Sequence, residues 1–269
     1  MTFIIIICIV IAFYFLSRPL IRNSRRNTLR QTPFPDEWKP ILEKRFPLYL
    51  NLPKPLQEQL ESDIQIFIAE KTFFGCNELE ITDEIKVTVA AQACILILNR
   101  KKNYFPRLGS IYIYPSTYVA KRQRHIGGGV MAKQTDVNLG ESWVDGRVVL
   151  AWDASKHGAI NMHDGHNVVM HEFAHQLDQE DGSGDGVPKL SEFSKYSTWI
   201  NVLGREYELL KKGRKGKSVI DRYGATNGAE FFATATEAFF EKPHQLKRKH
   251  TELYAELKDY FCVDPVEWV

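Results

Sequence analysis

The chain has 269 residues, a net charge of +2, 44% hydrophobic residues and four cysteines. Cys8, Cys76, Cys94 and Cys262 show no C-x-x-C and no paired spacing, which excludes a disulfide framework and points to reduced thiols. Residues 1–35 hold five arginines and no acid, leaving −3 on the rest, and a mildly acidic globule argues against direct nucleic-acid binding.

In chain order, the first feature is Phe3–Leu16, FIIIICIVIAFYFL, fourteen residues without a charge or a proline. Met1 and Thr2 extend it to sixteen, just under the roughly 17 that a spanning helix needs. No basic residue precedes it and no small-residue cleavage site follows, so it reads as an anchor rather than a cleaved signal. Arg18, Arg22, Arg25, Arg26 and Arg30 follow, which by the positive-inside rule keeps that side cytoplasmic and suits contact with anionic headgroups. The expected organisation is a transmembrane anchor over 1–17, a basic linker over 18–39 containing Pro19, Pro33 and Pro35, and one domain over 40–269. The expected location is the inner membrane, single-pass, with the domain facing the cytoplasm.

Within the domain, Leu56–Phe74 reads as an amphipathic helix ended by Gly75, and Glu84–Leu98 as a central, largely apolar helix. Ile111–Tyr114 and Val148–Trp152 read as strands. Gly127-Gly128-Gly129 lacks the G-K-[ST] of a phosphate loop and reads as a mobile turn. Helices are expected over Glu192–Leu210 and His244–Tyr260, with a solvated basic loop over Lys211–Lys217 and a further apolar helix starting near Asn227. The sum is a helix-rich α+β domain with a small sheet.

The chemistry concentrates in His171-Glu172-Phe173-Ala174-His175, an H-E-x-x-H motif. On a helix, i and i+4 share a face, so both imidazoles can meet one Zn²⁺, with Glu172 placed as a base for water. Val168, Val169, Phe173, Ala174 and Leu177 supply the apolar face, Asn167 a plausible N-cap, and Gly182, Gly184 and Gly186 the stop. In zincin folds an edge strand beside the active helix pairs with extended substrate, and Val148–Trp152 or a strand near Gly140–Trp143 is the expected counterpart. Asp178 lies three residues past His175 and reads either as an orienting group for a histidine or as a solvated acid. Glu230 and Glu237 share one stripe of the helix after Asn227. A carboxylate there faces inward and needs a partner. For Glu230 that partner is a metal or, equally, the backbone of a capping box with Asn227. Five of the eight histidines fall within 157–175. His157, His163 and His166, like His244 and His250, read as local hydrogen-bonding groups, because no second cluster of acids accompanies them.

The stretches HEFAHQLD at 171–178 with its lead-in DGHNVVM, GRVVLAWD at 146–153, YGATNGAEFFATATEAFFE at 223–241 and ITDEIKVTVAAQACILIL at 81–98 together resemble the Mlc titration factor A family. The resemblance spans roughly residues 35–265. It implies a zinc peptidase domain similar to that of anthrax toxin lethal factor, one Zn²⁺ held by His171, His175 and Glu230, Glu172 as general base, and Tyr223 as a phenol stabilising the oxyanion. It also implies aminopeptidase-like activity on a peptide or protein substrate and interaction with a transcriptional repressor of glucose-uptake genes. On that second count the chain could act as a membrane-tethered protein that sequesters the repressor, with zinc mainly structural. One departure stands out: Gly228 replaces the proline usual in the family, which predicts a looser helix start at a small cost in stability.

Overall fold

The computed structural model describes residues 2–100, 103–116, 118–126, 130–138, 140–143, 146–213 and 218–268, with 2–16 and strand residues within 118–143 described by secondary structure alone. The helices are α1 (Thr2–Gln31), α2 (Lys39–Arg45), α3 (Leu48–Asn51), α4 (Lys54–Glu70), α5 (Asp83–Ile95), α6 (Trp152–Ile160), α7 (Val168–Asp178), α8 (Tyr196–Lys211), α9 (Gly228–Glu241), α10 (Pro243–Lys249) and α11 (Thr251–Phe261). The strands are β1 (Thr72–Gly75), β2 (Ser110–Tyr114), β3 (Tyr118–Ile126), β4 (Val130–Asn138), β5 (Gly140–Trp143) and β6 (Arg147–Ala151). This is the helix-rich α+β architecture, with a four-stranded sheet ordered β1-β2-β6-β5 and a separate β3-β4 hairpin.

Strands β1, β2 and β6 run parallel, and β5 pairs antiparallel with β6 at the edge. Parallel neighbours need a crossover, and α5 supplies the one between β1 and β2. That explains its composition. Ten of its thirteen residues are buried, so it is apolar nearly all round rather than striped. Thr82 caps it by accepting from the Ile85 N–H.

Helix α7 sits on this core through Phe173, which is fully buried against Phe105 and Phe67 at ring-centroid distances of 4.8 and 5.7 Å. Burying one such side chain contributes about 2–3 kcal/mol. Helix α9 is anchored on its other side by an aromatic cluster in which Phe232 and Phe239 stack near Phe261. The two helices that face each other across the motif are therefore each fixed by large buried rings.

Several expectations change. The helix expected over Leu56–Phe74 stops short: α4 ends at Glu70 and Thr72–Gly75 is a strand, because Phe73 and Phe74 belong to a sheet edge in register with Ile111 and Tyr112. The helix expected over His244–Tyr260 is two, broken at His250. The linker expected over 18–39 is helical through Gln31, with Pro19 inside α1. Its lower half docks on α4: Arg26 makes a bidentate pair with Glu70 at 2.6 and 2.7 Å and lies 4.6 Å over the Tyr104 ring. Among the described residues no helix is long and apolar enough to cross a membrane, so the anchor expected over 1–17 gains no support from the fold. Gly127–Gly129 and residues 214–217 of the basic loop lie outside the described residues.

Gly228 is not a weak point. A Cβ there would lie 2.3 Å from the Asp185 carbonyl oxygen, and one on Gly186, at φ +90°, would lie 2.3 Å from the Gly228 carbonyl oxygen. The start of α9 and the loop after α7 touch backbone to backbone, which only glycine permits without a shift. A proline at 228 would bring strain, not firmness.

Candidate metal centre

Helix α7 begins where the sequence places its cap. Asn167 Oδ1 accepts from the Met170 N–H at 3.0 Å, and its Nδ2 donates to the Gly158 carbonyl at 3.1 Å. The helix then carries His171 and His175 on one face, with their Nε2 atoms 3.2 Å apart. From α9, Glu230 Oε2 stands 2.9 Å from His171 Nε2 and 3.4 Å from His175 Nε2. The three donor atoms lie within 4.8 Å of one another and could hold a metal ion.

The capping-box reading of Glu230 holds only in part. Asn227 Oδ1 accepts from the Glu230 N–H at 2.9 Å, so the helix is capped at its third position. The Glu230 carboxylate does not reach back to close a capping box. It faces the histidines instead.

The electrostatics test whether this donor set suits a cation. Burial opposes a charge on His171, but its hydrogen bonds to Glu230 and Glu237 outweigh that and lift its pKa well above the ordinary histidine value. Burial likewise works against an ionised Glu230, yet the two histidines hold its pKa down to about 2. The cluster therefore demands positive charge. A proton on His171 satisfies it in the absence of an ion, and an ion must displace that proton to bind. Two imidazoles and a carboxylate on one point fit a metal.

Glu172 is 6% exposed and touches none of these donors as a ligand would. Burial raises its pKa against the lowering pull of His171 and His175. It lies under β5: a Cβ on Gly140 would fall 2.7 Å from Glu172 Cγ and 2.8 Å from Oε1. Any side chain at position 140 would displace the Glu172 carboxylate. Of the two strands expected beside the active helix, β5 is the edge strand, and it packs on α7.

Tyr223 sits in a short 3-10 turn, Arg222–Ala225, where Asp221 Oδ1 accepts from its N–H at 2.7 Å. The turn packs on α9, and the Tyr223 ring centroid is 6.0 Å from that of His171. The residue is 56% exposed, so it stands at the mouth of the cluster.

Asp178 does not orient a histidine. Its two oxygens accept from the Gly186 N–H at 3.0 and 2.8 Å, and it is fully buried. Its role is to fold the 182–186 loop back so that Gly186 meets Gly228. The histidine partner is Glu237, whose Oε1 is 2.8 Å from His171 Nδ1. His157 and His166 stand apart from the donor cluster, at 3.3 Å from Asp164 and 3.7 Å from Asp221 respectively, and His250 Nδ1 is 2.8 Å from Glu206.

Sequence reasoning missed Glu241. Its Oε2 accepts from the N–H groups of Gly165 and His166 at 2.7 and 3.1 Å, which pins the turn leading into α7. The signal that could have found it was its position, one turn past Glu237 in a helix otherwise rich in Phe and Ala. Burial, reinforced by Glu237 and Asp164, pushes its pKa up to about 8. The folded protein then binds a proton that the unfolded chain releases between about pH 4.5 and 8, so this group's contribution to stability is full below that window and declines as pH rises through it. Against wild type, Glu241→Gln should therefore gain relative stability across pH 4.5–8 and show a flat difference outside it. The gain should reach a few kcal/mol, at about 1.4 kcal/mol for each tenfold change in proton affinity. Urea midpoints of the two proteins measured from pH 4 to 9 check this; a flat difference throughout would contradict it.

A parallel sheet with one antiparallel edge strand laid along a helix that bears H-E-x-x-H, and a third donor arriving from a later helix, is the framework of a metallopeptidase. The comparisons name the branch. The chain belongs to the family described as glucose-regulated metallo-peptidase M90, which matches residues 21–262. It is 41% identical over 245 residues to an uncharacterized protein of Synechocystis sp. (strain ATCC 27184 / PCC 6803 / Kazusa), covering 90% of this chain and 89% of that one. It is 26% identical over 236 residues to proteins named Mlc titration factor A from Yersinia pestis (strain Pestoides F) and Yersinia pseudotuberculosis, covering 86% of this chain and 85% of each relative. The family resemblance read from the sequence is thereby shown.

Proposed function

We propose that the chain is a zinc-dependent peptidase, aminopeptidase-like as its resemblance implies, using one Zn²⁺ at His171, His175 and Glu230. The observation that carries this reading is the convergence of those three donor atoms within 4.8 Å, beside the buried Glu172. Two nitrogens and one carboxylate are a donor set of catalytic zinc, which keeps a further position open. When bound, zinc supplies polarisation of a carbonyl and acidification of water.

The chain's own residues do the rest. Glu172 accepts the proton of the attacking water as the new C–O bond forms. The same carboxyl then returns the proton to the departing amine as the C–N bond breaks. Tyr223, at the mouth of the cluster, donates its O–H to the oxyanion. Strand β5 offers its outer edge to the backbone of an extended peptide. The test is a peptide-library digest by the purified protein, with and without chelator. Cleavage that stops on chelation and returns with zinc supports the reading, and no cleavage of any peptide counts against it.

A second reading is favoured by the name of the Yersinia relatives, Mlc titration factor A. In it, the chain sequesters a transcriptional repressor of sugar uptake and the metal shapes the binding surface. Repressor binding that survives in a Glu172→Gln protein, together with absent hydrolysis by wild type, would select it. A location at the cytoplasmic membrane, with the domain facing the cytoplasm, is a proposal that rests on the sequence of residues 3–30 alone.

A further inference from the structure

Helix α9 contributes more to the site than Glu230. Glu237 follows it by seven residues, two turns or about 10 Å along the same face. The His171 ring spans the gap between the two carboxylates. Its Nε2 is 2.9 Å from Glu230 Oε2 and its Nδ1 is 2.8 Å from Glu237 Oε1. The other Glu237 oxygen, Oε2, accepts from the Asn167 N–H at 2.6 Å. Asn167 is the residue that caps α7. One buried carboxylate, with its side chain 7% exposed, thus holds both the first histidine and the start of the helix that carries both histidines.

We propose that Glu237 is the positioning residue of this site: it fixes the proton of His171 on Nδ1, aims the Nε2 lone pair at the point shared with His175 and Glu230, and sets the register of α7 against α9. The chemistry follows from donor counting. A carboxylate only accepts, so each ring nitrogen of His171 carries hydrogen while it faces one, and when a metal takes the place of the hydrogen on Nε2 the nitrogen held by Glu237 keeps its own. A partner that holds that hydrogen also makes the far nitrogen a better donor. The inference rests on the metal centre proposed above.

Two neighbours separate positioning from mere support of the turn. Glu241 holds the same turn through Gly165 and His166 but does not contact His171. Glu237 contacts both. The experiment compares Glu237→Gln, Glu237→Ala and Glu241→Gln by zinc affinity in chelator competition, and by long-range proton–nitrogen NMR of the His171 ring in the zinc-loaded protein. Glutamine keeps the volume, but it can accept from only one of its two facing donors, Asn167 N–H or His171 Nδ1–H, so it guards against a result that reflects unfolding.

The expected result is a zinc affinity lowered about 10–100-fold in both Glu237 variants, with Glu241→Gln within about threefold of wild type. In wild type the His171 Nδ1 signal should report a protonated nitrogen whose hydrogen exchanges slowly; in Glu237→Ala that protection should be lost. Wild-type affinity and an unchanged Nδ1 signal in the Glu237 variants would overturn the inference alone. An equal loss in Glu241→Gln would overturn it too, assigning the effect to the turn. Wild-type protein that takes up no zinc would instead overturn the metal centre on which it depends.

Discussion

Glu172→Gln should reduce peptide hydrolysis by at least about a thousandfold while leaving metal binding intact. Glutamine has the size and shape of glutamate, so Gly140, Val168 and the β5 backbone above it need not move. What disappears is a group that can take up a proton from water and hand it to an amine. A general base and acid of this kind is worth about 10²–10⁴ in rate, and in the proposed mechanism one residue serves both steps. The metal is spared because the donor cluster is built from His171, His175 and Glu230 without it. The measurement is kcat on a peptide substrate alongside metal content per chain. Wild-type turnover in the variant would remove Glu172 from the mechanism. Loss of metal together with activity would recast it as a ligand.

Removing a donor should have the opposite signature. His175→Ala and Glu230→Ala should each lower zinc affinity by more than about a hundredfold, beyond what loss of an outer hydrogen bond produces, and activity should fall with it. Stability gives an independent reading. An ion that binds only the folded state stabilises it by about 4 kcal/mol when its free concentration is a thousand times Kd. Wild-type Tm should therefore rise with added zinc and fall on chelation, whereas the variants should be insensitive to both. Glu230→Ala also leaves His171 with Glu237 as its remaining carboxylate partner and exposes no large apolar surface, since the Glu230 side chain is already 17% exposed at the mouth of the site. A zinc-dependent Tm retained in either variant would mean that the ion sits elsewhere.

The legible part of the site was the part written in local spacing. His171 and His175 lie four apart, so helix geometry puts them on one face, where their Nε2 atoms stand 3.2 Å apart. Asn167 caps α7 because a short polar side chain before an apolar run has few better uses. Asn227 and Glu230 were legible in the same way, but only as two competing readings. The folded chain shows that the Glu230 N–H answers to the cap and its carboxylate to the histidines. Asp178 shows the limit. Its spacing suited a histidine, yet the chain turns at Gly182 with φ +102° and brings Gly186 back to it, a contact that no helical periodicity encodes.

By itself, then, the sequence determined the helix-rich α+β class, the two histidines on one helix face with the glutamate between them, and the acids worth watching on α9, because each follows from a period of 3.6 or 2 or from a cap within four residues. It also supplied long family motifs. Only the tertiary structure decided that Glu237 and not Asp178 holds His171, that Glu241 pins the turn before α7, that Gly228 is required by close approach of the Asp185 backbone, and that β5 is the strand laid over Glu172. These pairings join residues 32 to 76 positions apart. Their energies depend on burial and on which hydrogen-bonding groups the packed core leaves facing one another, quantities that do not exist until the helices have docked.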